Sequence, residues 1–265
     1  MEKLSRGSKM HLLEVENLTK NFGGVTALNE FSFSVDSHEI IAVIGPNGAG
    51  KSTLFNVITK IHPATNGIVK FKGEDITKLK AHDIAVKGVS RTFQDVRTLN
   101  EMTTLENIMI GCHRTTRTGL FSSFLYLPRV RKEIEHVKEL SMKYLELVGL
   151  DKTDADKPAG ALPYGARKLV ELARALVSDP ELLLLDEPAT GLNDVEREHM
   201  AQLLFDLRKM GKTWILVEHQ MEFVMGSSDR VIVLDFGNKI AEGTPDEIKK
   251  NPEAIAAYLG EEDYA

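Results

Sequence analysis

Residues 39–56 read EIIAVIGPNGAGKSTLFN. The near-continuous apolar run 40–44 predicts a buried strand, and it breaks into Gly45, Pro46, Asn47, Gly48, Ala49, Gly50, Lys51, Ser52 and Thr53. Those nine positions fit the phosphate-binding pattern G-x-x-x-x-G-K-[ST] at every place, and helical spacing resumes at Leu54. A polyphosphate has to be wrapped by backbone N–H groups, so the loop needs residues whose missing Cβ lets the chain come close; Gly45, Gly48 and Gly50 supply that. The helix that follows points unpaired N–H groups and its positive dipole end at the phosphates, Lys51 reaches the β and γ oxygens, and Ser52 offers a hydroxyl to Mg²⁺. A glycine-rich turn that merely joins a strand to a helix is the competing reading. The loop, the Lys-Ser pair, the preceding strand and the following helix together set it aside.

The chain has 265 residues, enough for one large α/β domain or one domain carrying a smaller insertion. Hydrophobic residues make up 42%, charged residues 27%, and the formal net charge is −6, which argues against a general affinity for nucleic acid and leaves room only for a local basic patch. Cys112 is the single cysteine, so an internal disulfide and a cysteine-based metal site are excluded; it reads as a small apolar residue in a reducing, cytoplasmic setting. The first residues, MEKLSRGSKM, lack the apolar core of a secretory signal. No run of about eighteen apolar residues offers a membrane span, so the chain is expected to be soluble and to serve a membrane only by docking to another subunit. Met10 is an alternative start, with residues 1–10 a flexible extension.

Upstream of the phosphate loop, HLLEVENL and FSFSV alternate apolar and polar residues and predict half-buried strands. Phe22, in a turn before Gly23 and Gly24, is either a core residue or a loop aromatic able to stack on an adenine ring. Residues 67–77 predict another short strand and turn, and the run 85–93, AVKGVSRTF, a strand ending at Gln94. From 95 to 165 the spacing turns helical, which predicts a helical subdomain inserted between core segments 11–94 and 166–265. Within it Thr103 or Thr104 offers an N-cap with Glu106 in the first turn, and Ile134, Val137, Leu140, Tyr144 and Val148 share one face of an amphipathic helix. The segment 113–130 mixes arginines with Leu120, Phe121, Phe124, Leu125 and Tyr126; it reads as a packed helix hairpin or as a contact for a partner or membrane surface.

LPYGARKLVELARALVSDP, from Leu162, predicts a turn and then a helix from about Gly165 with Leu169, Leu172, Ala173, Leu176 and Val177 on its apolar face. Four leucines, 182–185, suit a strand buried on both faces, and the acids at its carboxyl end, Asp186 and Glu187, should face a site, because burying unpaired charge costs several kcal/mol. In an open α/β sheet that edge is also where the phosphate loop lies. Asp186 is then placed to hold the Mg²⁺ shell and Glu187 to polarise the water that attacks a γ-phosphate. The run 213–217 delivers Glu218 and His219 to the same edge, where His219 can hydrogen-bond the γ-phosphate or serve as a structural histidine. Beyond it lie a hairpin signal at Gly237-Asn238, a helix near Pro245, and a short helix with an acidic tail.

Taken in order, these motifs resemble the ATP-binding subunits of ABC transporters over nearly the whole chain. The resemblance implies an α/β P-loop NTPase core with a mainly parallel sheet, an N-terminal antiparallel β subdomain and an inserted helical subdomain, the ABC ATPase fold. It places Phe22 at the adenine-stacking position, 45–53 in Walker A, and Gln94 in the Q-loop, whose glutamine senses Mg²⁺ and the transmembrane partner. It also places Leu162, Pro163, Tyr164, Gly165 and Ala166 in the signature, 182–187 in Walker B with Glu187 catalytic, 190–193 in the D-loop, and His219 as the switch histidine. The usual signature is LSGGQ, whose serine hydroxyl and backbone N–H groups grip the γ-phosphate held by the opposite subunit. Here Pro163 removes both a hydroxyl and an N–H, a loss of ~1–3 kcal/mol in that grip, and Asn193 stands where many relatives carry aspartate.

The segment between Gln94 and the signature, with SRTFQ, TLENIMIG and EPATGLN, is similar to the ATP-binding subunits of branched-chain amino acid importers. That similarity implies an Mg²⁺-dependent ATPase on the cytoplasmic face of a membrane, half of a nucleotide-sandwich dimer, contacting permeases through Gln94 and the helical subdomain and the membrane only indirectly. One Walker A and one signature cannot complete a composite site alone, so a second ATP-binding subunit, identical or different, is expected. Other cargoes on the same motor, such as urea, short amides or an exported lipid, remain alternatives. An ABC ATPase of DNA repair would need long coiled-coil heptads and a ribosomal one two cassettes, and neither is present. A binding module without hydrolysis would lack Glu187 or His219.

Overall fold

The computed structural model describes residues 11–114 and 128–262, with side chains described for 11–112 and 131–257. The extension 1–10, most of the apolar-basic segment 113–130, and the end of the acidic tail lie outside those residues.

Strand β3 (Ile40–Ile44) stands in the middle of a sheet with β6 (Val89–Arg91), β7 (Leu182–Asp186), β8 (Thr213–Val217), β9 (Arg230–Asp235) and β10 (Asn238–Gly243). The order is β10-β9-β3-β8-β7-β6; β9 through β6 run parallel and β10 closes the edge antiparallel. Parallel neighbours need long crossovers that cover both faces, which explains why β3 and the run 182–185 of β7 are apolar at every position rather than at alternate ones. Alternate side chains feed two different cores. Ile40, Ala42, Ile44, Leu183, Leu185, Trp214 and Leu216 face one, while Ile41, Val43, Leu182, Leu184, Ile215 and Val217 face the other.

The second core is closed by helix α1 (Lys51–Ile58) and by an antiparallel sheet of β1 (Leu13–Phe22), β2 (Val25–Val35), β4 (Asn66–Phe71) and β5 (Glu74–Asp75), ordered β2-β1-β4-β5. β1 and β2 are longer than the two short runs of alternation suggest. Bulges break the period-2 pattern: Asn17 and Glu30 take left-handed backbone, φ 48° and 45°, and their N–H groups bond to Ser32 Oγ and Thr19 Oγ1. Phe22 therefore ends β1 rather than sitting in the turn.

The first core takes α3 (Thr104–Met109), α4 (Pro128–Leu147), α5 (Tyr164–Leu176) and α6 (Asp194–Lys209). A capping box starts α3, with Thr103 accepting from the Glu106 N–H and Glu106 from the Thr103 N–H. Val137, Leu140, Tyr144 and Leu145 of α4 and Val148 just after it face the core, whereas Ile134 is 48% exposed.

The expected strand over 85–93 is a helix followed by a shorter strand. α2 (Ala81–Lys87) takes in Ala85, and Gly88 at φ 109° caps it and turns the chain into β6. A left-handed C-cap is invisible to apolar periodicity but is marked by the glycine itself. The β9–β10 turn falls on Phe236 and Gly237, and the chain ends with α7 (Met221–Ser227), α8 (Pro245–Ile248) and α9 (Pro252–Glu262). None of the described helices is long and apolar enough to cross a membrane.

Candidate functional site

Parallel register brings three strand ends to one edge: Val43 of β3 pairs with Val217 of β8, and Val217 with Asp186 of β7. Residues 45–53, Asp186 with Glu187, and Glu218 with His219 leave the sheet side by side there, as expected of a ligand crevice at carboxyl ends.

In the loop, a Cβ on Gly45 would stand 1.9 Å from the Leu234 carbonyl oxygen, and one on Gly50, at φ 110°, 2.4 Å from that of Ala27. These contacts are with backbone, so no side chain fits at either place. Gly50 starts α1 without a side-chain cap, so no capping side chain competes for the first-turn N–H groups. Lys51 is buried and folds back on its own loop, donating from Nζ to the carbonyls of Gly45 at 2.5 Å and Pro46 at 2.8 Å. Ser52 is exposed on the first turn beside Thr53, while Asn47 and Gly48 form the exposed crest and Ala49 lies beneath.

Asp186 is buried and paired through Oδ2 with Arg91 at 2.8 Å. Burial pushes its carboxyl above the usual carboxylate range, against the pull of Arg91 and of Lys51. Its Oδ1 is buried with no hydrogen-bond partner among the described residues. Such an oxygen fits a hard cation, as do the Ser52 hydroxyl and the Gln94 amide oxygen. Among the described residues no cluster of three or more His, Cys, Asp or Glu could cage a metal.

Glu187 has left-handed backbone, φ 48°. Its carboxylate oxygen Oε2 accepts from Gln94 Nε2 at 3.0 Å and Thr190 Oγ1 at 3.2 Å, and His219 Nδ1 lies 3.9 Å away. Gln94, Glu187 and His219, three separate expectations in the sequence, thus converge on one oxygen. Phe22 does not join them: its half-exposed ring meets His62 edge-on at 5.3 Å, with Lys20 Nζ 4.6 Å from its centroid.

The signature leads into α5. Leu162 is buried, and Pro163 takes the N-cap position without a side-chain hydrogen bond. A Cβ on Gly165 would meet the Glu196 carboxylate at 2.3 Å, and one on Gly191 would meet the Tyr164 ring at 2.8 Å, so the signature is built against the D-loop of its own chain; Ala166 is half-buried behind it. Asn193 caps α6. Its side chain accepts from the Glu196 N–H, and Glu196 accepts from the Asn193 N–H, each at 3.0 Å.

Three residues escape sequence reading. Arg91 bridges β7 to the phosphate-loop helix, donating to Asn56 at 2.7 Å as well as to Asp186. Glu218, fully buried, accepts from the N–H groups of Ala189 at 2.8 Å and His219 at 3.0 Å, joining the turns after β7 and β8. Lys168 donates to the Glu187 carbonyl at 2.7 Å. A signal existed for each: Arg91 lies in SRTFQ, Glu218 precedes the switch histidine, and Lys168 is one turn before the buried Leu172 on the same helical face.

With this geometry in place, comparison with known proteins fixes the class. The ABC transporter family pattern matches residues 28–190, and a second, described as branched-chain amino acid ATP-binding cassette transporter, matches 238–264. The chain belongs to the ABC transporter ATP-binding cassettes, a family of ATPases. It is similar to the high-affinity branched-chain amino acid transport ATP-binding protein BraF of Pseudomonas aeruginosa, 41% identical over 94% of this chain and 98% of that one. LivG of Escherichia coli, named for the same transport, is 42% identical over equal shares. A solved ATP-binding cassette of an ABC transporter in its ADP conformation superposes with a TM-score of 0.83 at 36% identity, covering 95% of this chain and 100% of that one.

Proposed function

We propose that this chain is the energy-coupling ATPase of an importer of branched-chain amino acids, working with Mg²⁺ as half of a nucleotide-sandwich dimer beneath membrane permeases on the cytoplasmic face. The observation that carries the reading is the convergence of residues 45–53, Asp186, Glu187 and His219 on one sheet edge, in a chain whose terminal segment 238–264 matches the branched-chain cassette pattern. The names and near-complete overlap of BraF and LivG support the cargo class.

Residues 45–53 bind the polyphosphate, and Lys51 exchanges the Gly45 and Pro46 carbonyls for phosphate oxygens. Ser52, Gln94 and Asp186 would hold Mg²⁺, which when bound neutralises charge on the β and γ phosphates. Glu187 orients the attacking water and takes its proton, and His219, half-exposed beside it, hydrogen-bonds the γ-phosphate. Gln94 and Thr190 donate to the same Glu187 oxygen, so withdrawing Gln94 frees a lone pair of that carboxylate to accept from water. Because Gln94 opens the helical segment, a permease pressing there is coupled to the base.

A γ-phosphate on this loop is covered by the signature of a second subunit. If that subunit is a copy of this chain, the grip comes from first-turn N–H groups of α5, since Pro163 has neither hydroxyl nor N–H to offer. The test is reconstitution in vesicles with the cognate permeases and substrate-binding protein. Turnover should rise when the binding protein is loaded with leucine, isoleucine or valine and stay basal with urea or a short amide. Stimulation by the latter and not the former would contradict the cargo assignment.

A further inference from the structure

We propose that Lys168 is a positioning residue for the catalytic carboxylate, tying the helix that carries the signature to the backbone of Glu187 in the same chain. The proposal rests on the reading of Glu187 as the group that activates water.

Lys168 rises from α5 one turn after Tyr164, is buried, and donates from Nζ to the carbonyls of Glu187 at 2.7 Å and Pro188 at 3.3 Å. A compact ammonium with three donors suits two carbonyls that converge; burial lowers its pKa below the usual lysine range, against the pull of the carboxylates of Glu218, Glu171, Glu187 and Asp186. An ordinary surface lysine has neither feature. The carbonyl it holds belongs to a residue in left-handed backbone, a conformation that strains a side chain and persists only where its surroundings over-determine it. Here three contacts do so, one of them the Thr190 N–H, which donates to the Glu187 carbonyl at a longer 3.3 Å. The Glu187 N–H donates to the Val217 carbonyl at 2.9 Å from the sheet side, and Lys168 grips the Glu187 carbonyl from the helix side. With the backbone held at both ends, the direction in which the carboxylate leaves it is set.

Helix α5 also holds the far end of the same turn, through the Tyr164 ring over Gly191 and Gly165 against Glu196. A shift of α5 therefore moves residues 187–193 as one piece. What the signature end of this helix grips on another subunit is felt at this chain's own water-activating group, and Lys168 is the link nearest that group.

The test compares Lys168→Met, which keeps the stem and removes the donors, with wild type in the full-length chain under Mg-ATP. We expect kcat to fall at least about tenfold while KM and the ATP Kd stay within about twofold, because the phosphate loop is untouched. Lys168→Arg, which keeps charge and donors, should restore turnover to within about threefold of wild type. In a Glu187→Gln background the same Lys168→Met change should alter the residual rate less than about twofold, since the group it positions is gone. Should Lys168→Met fail to fold, Lys168→Leu, which also lacks a donor, carries the same expectations. Normal kcat in Lys168→Met, an equal loss in both backgrounds, or a loss confined to KM would overturn the proposal. Normal turnover of Glu187→Gln would instead overturn the reading beneath it.

Discussion

Arg91 and Asp186 are both buried, and each leaves an atom unpartnered among the described residues, Nε on one side and Oδ1 on the other. Removing one member of a buried ion pair strands the other, so Asp186→Asn should destabilise the chain by about 3 kcal/mol. Glu187→Gln, whose carboxylate is only partly buried, should change stability by less than about 0.5 kcal/mol. Urea unfolding of the two variants separates them. Lys60 behaves in the opposite sense. It follows α1 with φ 61°, its Nζ has no hydrogen-bond partner among the described residues, and burial lowers its pKa to about 8 against the pull of Asp75. Because the folded pKa lies below the unfolded value of 10.5, the unfolded chain binds more protons between pH 8 and 10.5, and stability rises with pH across that window. Below pH 8 the penalty is fully present. Lys60→Met should accordingly add about 1–2 kcal/mol at pH 7, after discounting for solvent, with the gain shrinking toward pH 10. Denaturation midpoints at the two pH values check it.

At the level of elements, the D-loop asparagine is explained by capping rather than chemistry. Asn193→Ala should lower stability by about 1 kcal/mol, and Asn193→Asp should leave it within a few tenths, because both acids and amides accept from the first-turn N–H groups. Thermal unfolding of the pair decides it. Elements were legible in the sequence where one signal sufficed. The runs 40–44 and 182–185 read as strands buried on both faces and are so, and the glycines with Lys51 and Ser52 marked the turn from β3 into α1. They were less legible where two signals conflicted. The bulges at Asn17 and Glu30 broke the alternation that would have shown the full length of β1 and β2, and the glycine cap at Gly88 hid a helix inside an apolar run. Of the site, Glu187 and His219 were readable because unpaired charge at the end of a buried strand demands a reason. The roles of Lys168, Arg91 and Glu218 were not, because the carbonyl, the carboxylate and the Ala189 N–H they bind are far away in sequence, and spacing that places a residue on a face or an edge does not name its partner.

For the whole molecule, one sheet separates two cores, and the residues of the proposed site meet at its carboxyl edge. The phosphate loop lies over the core closed by the antiparallel sheet, the signature over the core closed by helices, and the turn at 187–193 runs between them. Residues 162–166 are built against Gly191 and Glu196 of their own chain, so under the proposed function a second subunit supplies the signature that covers this phosphate loop. The central claim is that Glu187 activates water on a loop that binds nucleotide without its help. Glu187→Gln in the purified transporter measures this most directly, by ATP affinity and turnover side by side. The account predicts affinity within about twofold of wild type and turnover lower by at least about a hundredfold. Near-normal turnover with intact binding would contradict it.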